Sequence, residues 1–172
     1  FIRQSTALPA SLFERFWLIP IHRFAELAQL FPASENHHHS HAGGLLDHSL
    51  EAACYAARLR QSYLFPPDAA PEDQAAQSER WTTVIIYAAL LHDLGKLITD
   101  IEVENFSGKR WFPWHGPLTQ PYRFRYLPQR DYLRHPAAAV LLLTQLIPPE
   151  SLDWLAADTA ALSTLLHCLN GQ

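Results

Sequence analysis

A mainly α-helical bundle carrying one small β-ribbon insert is the fold class this sequence predicts, and three observations predict it. Apolar residues recur at helical spacing through most of the 172 residues. Residues 78–94 are apolar nearly all round, as suits a helix at the centre of a core. Residues 100–128 change character, to aromatic, β-branched and charged residues with Gly108, Gly116 and several prolines, which marks a β-ribbon insert.

The elements follow in order. Residues 9–31 place Leu12, Phe13, Phe16, Trp17, Ile21, Phe24, Leu27 and Leu30 at helical spacing, with Pro20 expected to divide the segment into two helices. Residues 32–44, PASENHHHSHAGG, read as a polar connection. Residues 45–64 form a helix with Leu46, Leu50, Ala53, Cys54, Ala57 and Leu64 as its apolar stripe. The Pro- and acid-rich stretch 65–77 reads as an exposed loop, and Ser78 as the N-cap of the apolar helix that Gly95 stops. After the ribbon, helices are expected over 131–147, with Pro148 and Pro149 as the stop, then over 150–157 and 158–169. No repeat is present, and both polar loops fit inside one domain spanning 1–172. The first residue is Phe1 rather than Met, so the chain is expected to be an excerpt of a longer protein.

Composition narrows the function. Cys54 and Cys168 are the only cysteines, too few for a disulfide framework or a Cys-rich zinc site. A net charge of −4 argues against a broadly basic nucleic-acid surface. No uninterrupted apolar run has the length of a membrane span and no signal peptide is evident, so a cytoplasmic setting is expected. What stands out is ten histidines against thirteen Lys and Arg together. Histidine is both the commonest metal ligand and the acid–base group of neutral pH.

The segment AALLHDLGKL, 88–97, concentrates the chemistry. His92 and Asp93 are adjacent at the end of a buried helix, so imidazole and carboxylate can reach one ion, and Asp93 can bridge two through its two oxygens. Taken alone, the pair equally fits a hydrated helix end. Three further histidines lie on or beside apolar helical runs: His48, His135 and His167. Each alone suits a core histidine; together they suggest one shared centre, because buried imidazoles need partners.

These residues resemble the HD-domain metallophosphohydrolase superfamily: His48, the dyad His92–Asp93, then Gly95 and Lys96. Within it, HHHSHAGGLLDHSLEAA (37–53), AALLHDLGK (88–96) and WFPWHGPLTQPYRFRY (111–126) resemble the N-terminal domain of the TraI-like MobH conjugative relaxases of integrative conjugative elements, large proteins once described as helicases. The resemblance implies a single HD-type helical domain that is a DNA-nicking metal-dependent phosphodiesterase. It implies metal ligands at His48, His92, Asp93, His135 and His167, with Asp93 and Lys96 catalytic and Lys96 neutralising phosphate. One or two divalent ions are expected, Mn, Fe, Co, Ni or Zn. The family pattern closes on a late Asp; Asp153 and Asp158 precede His167, so the closing carboxylate is expected beyond Gln172. Other conjugation proteins are the implied partners besides DNA.

Two clusters stay open. His37, His38, His39 and His41 are either an exposed polar loop or a cover that contacts phosphate or metal; the resemblance favours the second. In the insert, Arg110, Arg123, Arg125 and Arg130, with only Asp131 opposing within residues 109–134, interleave with Trp111, Trp114, Tyr122 and Tyr126. That pattern suits single-stranded DNA, phosphates on Arg and bases on rings; equally, the aromatics pack on the helices. Tyr122, Tyr126 and Tyr132 are available as nucleophiles, but water is preferred. His22 and His115 carry no claim. Two other functions stay in view: phosphohydrolysis of a nucleotide or cyclic dinucleotide, and a non-enzymatic scaffold of the same fold.

Overall fold

The computed structural model describes residues 2–128, 130 and 134–171. The expected fold class holds: helices packed around one core, with a three-stranded antiparallel sheet inserted between them. After a 3-10 turn at Ile2–Ser5 come α1 (Ala10–Phe13), a wide π turn (Glu14–Leu18) and α2 (Ile19–Ala28). Pro20 therefore does not divide this segment. It has no N–H for the carbonyl four residues back, that of Phe16. The wide turn absorbs the mismatch, and the Tyr87 hydroxyl donates to Phe16 O instead. Burial pushes the Tyr87 phenol up, which keeps it a donor. Trp17 Nε1–H donates to Thr83 Oγ1 at 3.0 Å, a second tie from this rod to the central helix.

α3 (Gly44–Arg60) packs on α4 (Pro71–Leu91), and α4 packs on α9 (Thr159–Leu169). α4 begins seven positions before the expected Ser78. Pro71 opens it and Glu72 and Asp73 occupy its first turn, both favourable at a helix N-terminus. Ser78 lies inside the helix, its carbonyl accepting from Thr82 Oγ1 at 2.7 Å. The stretch Pro71–Thr99 has the length and composition of a membrane span, but most of its apolar window is buried here, as expected of a core helix. Val84, Ile86, Tyr87, Leu90, Leu91 and Leu94 are all buried.

A four-residue turn after α4 leads into α5 (Lys96–Thr99) and then the sheet: β1 (Ile101–Asn105), β2 (Arg110–Trp111) and β3 (Tyr122–Tyr126), in the order β2-β1-β3. β1 pairs Ile101 with Tyr126 and Asn105 with Tyr122, so the whole of β3 runs back along it. The expected helix over 131–147 is three short pieces: α6 (Arg134–Ala139), a 3-10 turn (Val140–Leu142) and α7 (Leu143–Leu146). Its start, with Asp131 and Tyr132, lies outside the described residues. α8 (Pro149–Ala156) and α9 complete the bundle, and Asp158 caps α9 by accepting from the N–H groups of Ala160 and Ala161.

Candidate metal centre

Three elements meet at Asp93. α3 supplies His48 one turn from its start, the end of α4 supplies His92, and α6 supplies His135. Asp93 is buried, 5% exposed. His48 Nε2 and His92 Nε2 lie 3.1 Å apart. Each is close to Asp93 Oδ2, at 3.3 Å and 3.5 Å. Lys96 Nζ reaches the same oxygen at 2.7 Å, and His135 Nε2 approaches the other, Oδ1, at 3.6 Å. The two carboxylate oxygens are thus addressed from different sides.

Local chain chemistry explains the pose of His92. The last turn of a helix leaves carbonyls without N–H donors. One of them, Ala89 O, lies 2.8 Å from His92 Nδ1, which donates its proton there. The lone pair is then on Nε2, the nitrogen facing His48 and Asp93. Burial pulls the His48 pKa down against the upward pull of Asp93, with His92, Lys96 and His39 adding to the lowering. Burial likewise lowers His135, opposed by Asp93 and Asp100. Both rings are therefore neutral at pH 7, as metal-ligating imidazoles must be.

Two glycines let the chain close around the centre. A Cβ on Gly95 would lie 1.8 Å from His135 O, and one on Gly44 would lie 2.0 Å from His39 O. Gly95 does not stop α4 through a left-handed conformation, since its φ is −63°. It is needed because the backbone of α6 runs directly over it. The two short motifs, His-rich loop plus Gly-Gly and His-Asp-Leu-Gly, thus each end on a glycine that admits a histidine-bearing main chain.

The donor set fits a metal ion. Ligand bonds of about 2.0–2.2 Å put neighbouring ligand atoms of a tetrahedral site roughly 3.3–3.6 Å apart, and those of an octahedral site about 3.0 Å apart. His48 Nε2, His92 Nε2 and Asp93 Oδ2 form a triangle of this size, and they are the group that could hold an ion among the described residues. His135 Nδ1 adds a buried polar atom with no hydrogen-bond partner.

The remaining histidines divide. His39 lies against the centre, its ring 5.3 Å from that of His48 and its Nε2 3.3 Å from Glu51. His41 pairs with Asp47 at 3.0 Å on the exposed side. His37 and His38 are exposed; His37 N–H donates to Ser34 Oγ, which donates to His38 O. The loop is tied to the centre by its main chain, since Lys96 Nζ donates to Ala33 O at 3.0 Å. His167 does not face inward. α9 buries Ala161, Leu165 and Leu169, and a residue two positions from Leu165 points about 200° away from that face. His167 is accordingly exposed.

Asp100 is the residue that sequence reasoning passed over. Buried at 4% exposure, it accepts from Thr99 Oγ1 at 2.7 Å. It lines a cleft of about 160 Å³ with Lys96, His135, His37, Tyr126 and Arg130, and the Tyr126 hydroxyl there is buried without a hydrogen-bond partner. A charged residue one helical turn after Lys96 and flanked by Ile98 and Ile101 was the signal available.

The ribbon arginines are not unopposed. Arg125 pairs with Glu102 at 2.8 Å, Arg123 with Glu104 at 2.5 Å and Arg130 with Glu35 at 2.6 Å; Arg110 stands 3.8 Å from Glu102. Glu102 and Glu104 lie on β1, just upstream of the stretch 109–134 in which only Asp131 opposes the basic residues, and the antiparallel register sets them opposite Arg125 and Arg123. Trp111, Tyr122 and Phe124 pack around the buried Phe31, with centroids 6.1, 5.2 and 5.4 Å from its ring, and Arg130 covers Tyr126 at 4.8 Å. Trp114 remains 45% exposed.

No curated protein matches the chain. The family model TraI_2, whose description reads "Putative helicase", matches residues 1–172. The chain belongs to the TraI_2 family, which links it to TraI-like conjugation proteins.

Proposed function

We propose that this domain cleaves phosphodiester bonds with a divalent transition metal held by His48, His92 and Asp93, and that its substrate is DNA undergoing conjugative transfer. The observation carrying this reading is the triangle of two imidazole nitrogens and one carboxylate oxygen, 3.1–3.5 Å on each edge, with His92 fixed by Ala89 O so that its lone pair faces inward. Family membership supplies the conjugation context. His135, on the far oxygen of Asp93, would be a ligand for a second ion if one binds. When bound, such an ion acidifies water and withdraws charge from phosphate oxygens. Lys96, 2.7 Å from Asp93, stands close enough to neutralise a phosphate beside it. The carbonyl of Ala89 keeps His92 from turning, and burial of Asp93 excludes water from its carboxylate.

The test is cleavage with Mn²⁺ on single-stranded DNA, on nucleoside phosphates and on cyclic dinucleotides. Nicking of DNA that is lost on chelation and in His92→Ala is the expected result. Hydrolysis of the small nucleotides without nicking refutes the DNA substrate, and His92→Ala with parental activity refutes the ligand set. Failure to bind any metal would refute the reading and favour a non-enzymatic scaffold.

A further inference from the structure

The basic and aromatic residues of the insert fall into two sets with different surroundings. On β3, each arginine has a carboxylate within 2.8 Å. At the outer end of the ribbon, residues 109–115, the balance is different. Glu102 serves both Arg125, at 2.8 Å, and Arg110, at 3.8 Å, so one carboxylate faces two guanidinium groups. Lys109 Nζ has no hydrogen bond or ion pair among the described residues, and a cleft of about 220 Å³ lined by Lys109, Arg110, Trp111, His115, Asn105 and Thr119 includes no carboxylate.

Beside that cleft stands a stack of flat groups. The rings of Phe112 and Trp114 are parallel within 9° with centroids 4.7 Å apart, and the Arg110 guanidinium lies 4.8 Å from the Phe112 ring centre. The stack is rigidly mounted. Trp111 Nε1–H donates to Gly116 O at 2.9 Å, closing the turn that carries Trp114, and Trp111 itself packs on Phe31. His115 also lines a second cleft, of about 410 Å³, on α2 and α7, and there the exposed Trp114 indole joins it with Arg23 and Glu26.

We propose that this outer strip, Lys109, Arg110, Phe112, Trp114 and His115, seats a single-stranded polynucleotide, with a base on the Trp114 indole and phosphates on Lys109 and Arg110. The β3 arginines take no part, because their charge is already neutralised within the sheet. The inference rests on the proposed function in taking DNA as the polymer. A nucleotide repeat offers one flat face and one negative charge, which matches exposed aromatic groups alternating with cations. An acidic peptide offers the charge without the flat face, and a duplex hides its bases from Trp114.

The experiment is anisotropy of a labelled, mixed-sequence single-stranded DNA titrated with the whole chain in EDTA, with tryptophan quenching followed in parallel. Trp114→Leu is expected to weaken binding about tenfold, the loss of one stacked base. Lys109→Gln is expected to lower the slope of log affinity against log salt by about one. Arg125→Gln is expected to stay within about twofold, since that arginine brings no free charge. Both altered strip positions are exposed, so the fold is kept, and far-ultraviolet dichroism checks this. Parental affinity in Trp114→Leu, equal losses in Arg125→Gln and Lys109→Gln, or equally tight binding of the duplex or of polyglutamate would each overturn the proposal. Binding that behaves as predicted in a chain that shows no metal-dependent cleavage would refute the proposed function and leave this site standing.

Discussion

The centre at Asp93 and the ribbon of β1 and β3 are built from the same kinds of charged residue, arranged in opposite ways. In the ribbon each β3 arginine is met by one carboxylate: Arg123 by Glu104 and Arg125 by Glu102, across adjacent strands. At the centre, three histidines and one lysine converge on the two oxygens of a single buried carboxylate. Paired charges at a surface contribute little and ask for nothing further. Imidazole nitrogens gathered 3.1–3.5 Å from one another and from one carboxylate oxygen form instead the donor set that a cation would complete. The local count of charges is similar in the two regions; the local satisfaction of them is what separates a scaffold from a candidate site.

The sharpest way to break this comparison is to deny the centre its close approach. Gly95→Ala places a Cβ 1.8 Å from the carbonyl carbon's oxygen in His135, against backbone that cannot rotate away. A loss of ~3 kcal/mol or failure to fold is expected, read by chemical denaturation; a neutral substitution would mean that α6 does not rest on this turn. Next in size is Lys96→Met. Asp93 then keeps no close cation, and the metal-free protein should lose ~2 kcal/mol. Added Mn²⁺ should restore that loss and bind more tightly than to the parent, because the competing ammonium is gone. Weaker metal binding in Lys96→Met would contradict the placement of the ion at Asp93.

A smaller effect is expected from pH. His48 and His135 have pKa values below 6.5 in the folded chain and about 6.5 when unfolded. As pH falls below 6.5, the unfolded chain takes up these protons first, so the metal-free protein should lose stability; above that range their contribution is flat. Denaturation midpoints across pH 5 to 8 check the direction, and the slope should shrink in His135→Gln. Smallest of all, Arg123→Gln in the ribbon should change stability by less than about 1 kcal/mol, read by thermal melting, because its ion pair is exposed.

Much of this was legible in the sequence, and the misses have physical causes. His48, His92 and Asp93 were found because a short motif at a helix end combines with an amphipathic helix carrying one histidine at its start. His167 was misjudged because an apolar neighbourhood in sequence does not give an angle: Leu165 and Leu169 face the core, and the residue between them does not. Pro20 was read as a break because local rules do not know of Tyr87, whose hydroxyl satisfies the stranded Phe16 carbonyl from another helix. Ser78 has the chemistry of a cap but lies inside α4, because Pro71, Glu72 and Asp73 start the helix seven residues earlier. The ribbon looked basic because Glu102 and Glu104 precede the window counted, and only strand pairing brings them opposite Arg125 and Arg123. Asp100 escaped notice for the converse reason: its neighbours His135 and Tyr126 come from later segments that fold back over it.

The measurement that bears most directly on the central claim is calorimetric titration of the metal-stripped chain with Mn²⁺ and Co²⁺, beside Asp93→Asn. Stoichiometric binding to the parent is expected, with a loss in Asp93→Asn larger than the roughly 10–100-fold expected when only an outer hydrogen bond to a ligand is removed, and with dichroism unchanged. Absence of binding in the parent, or parental affinity in a folded Asp93→Asn, would contradict that claim.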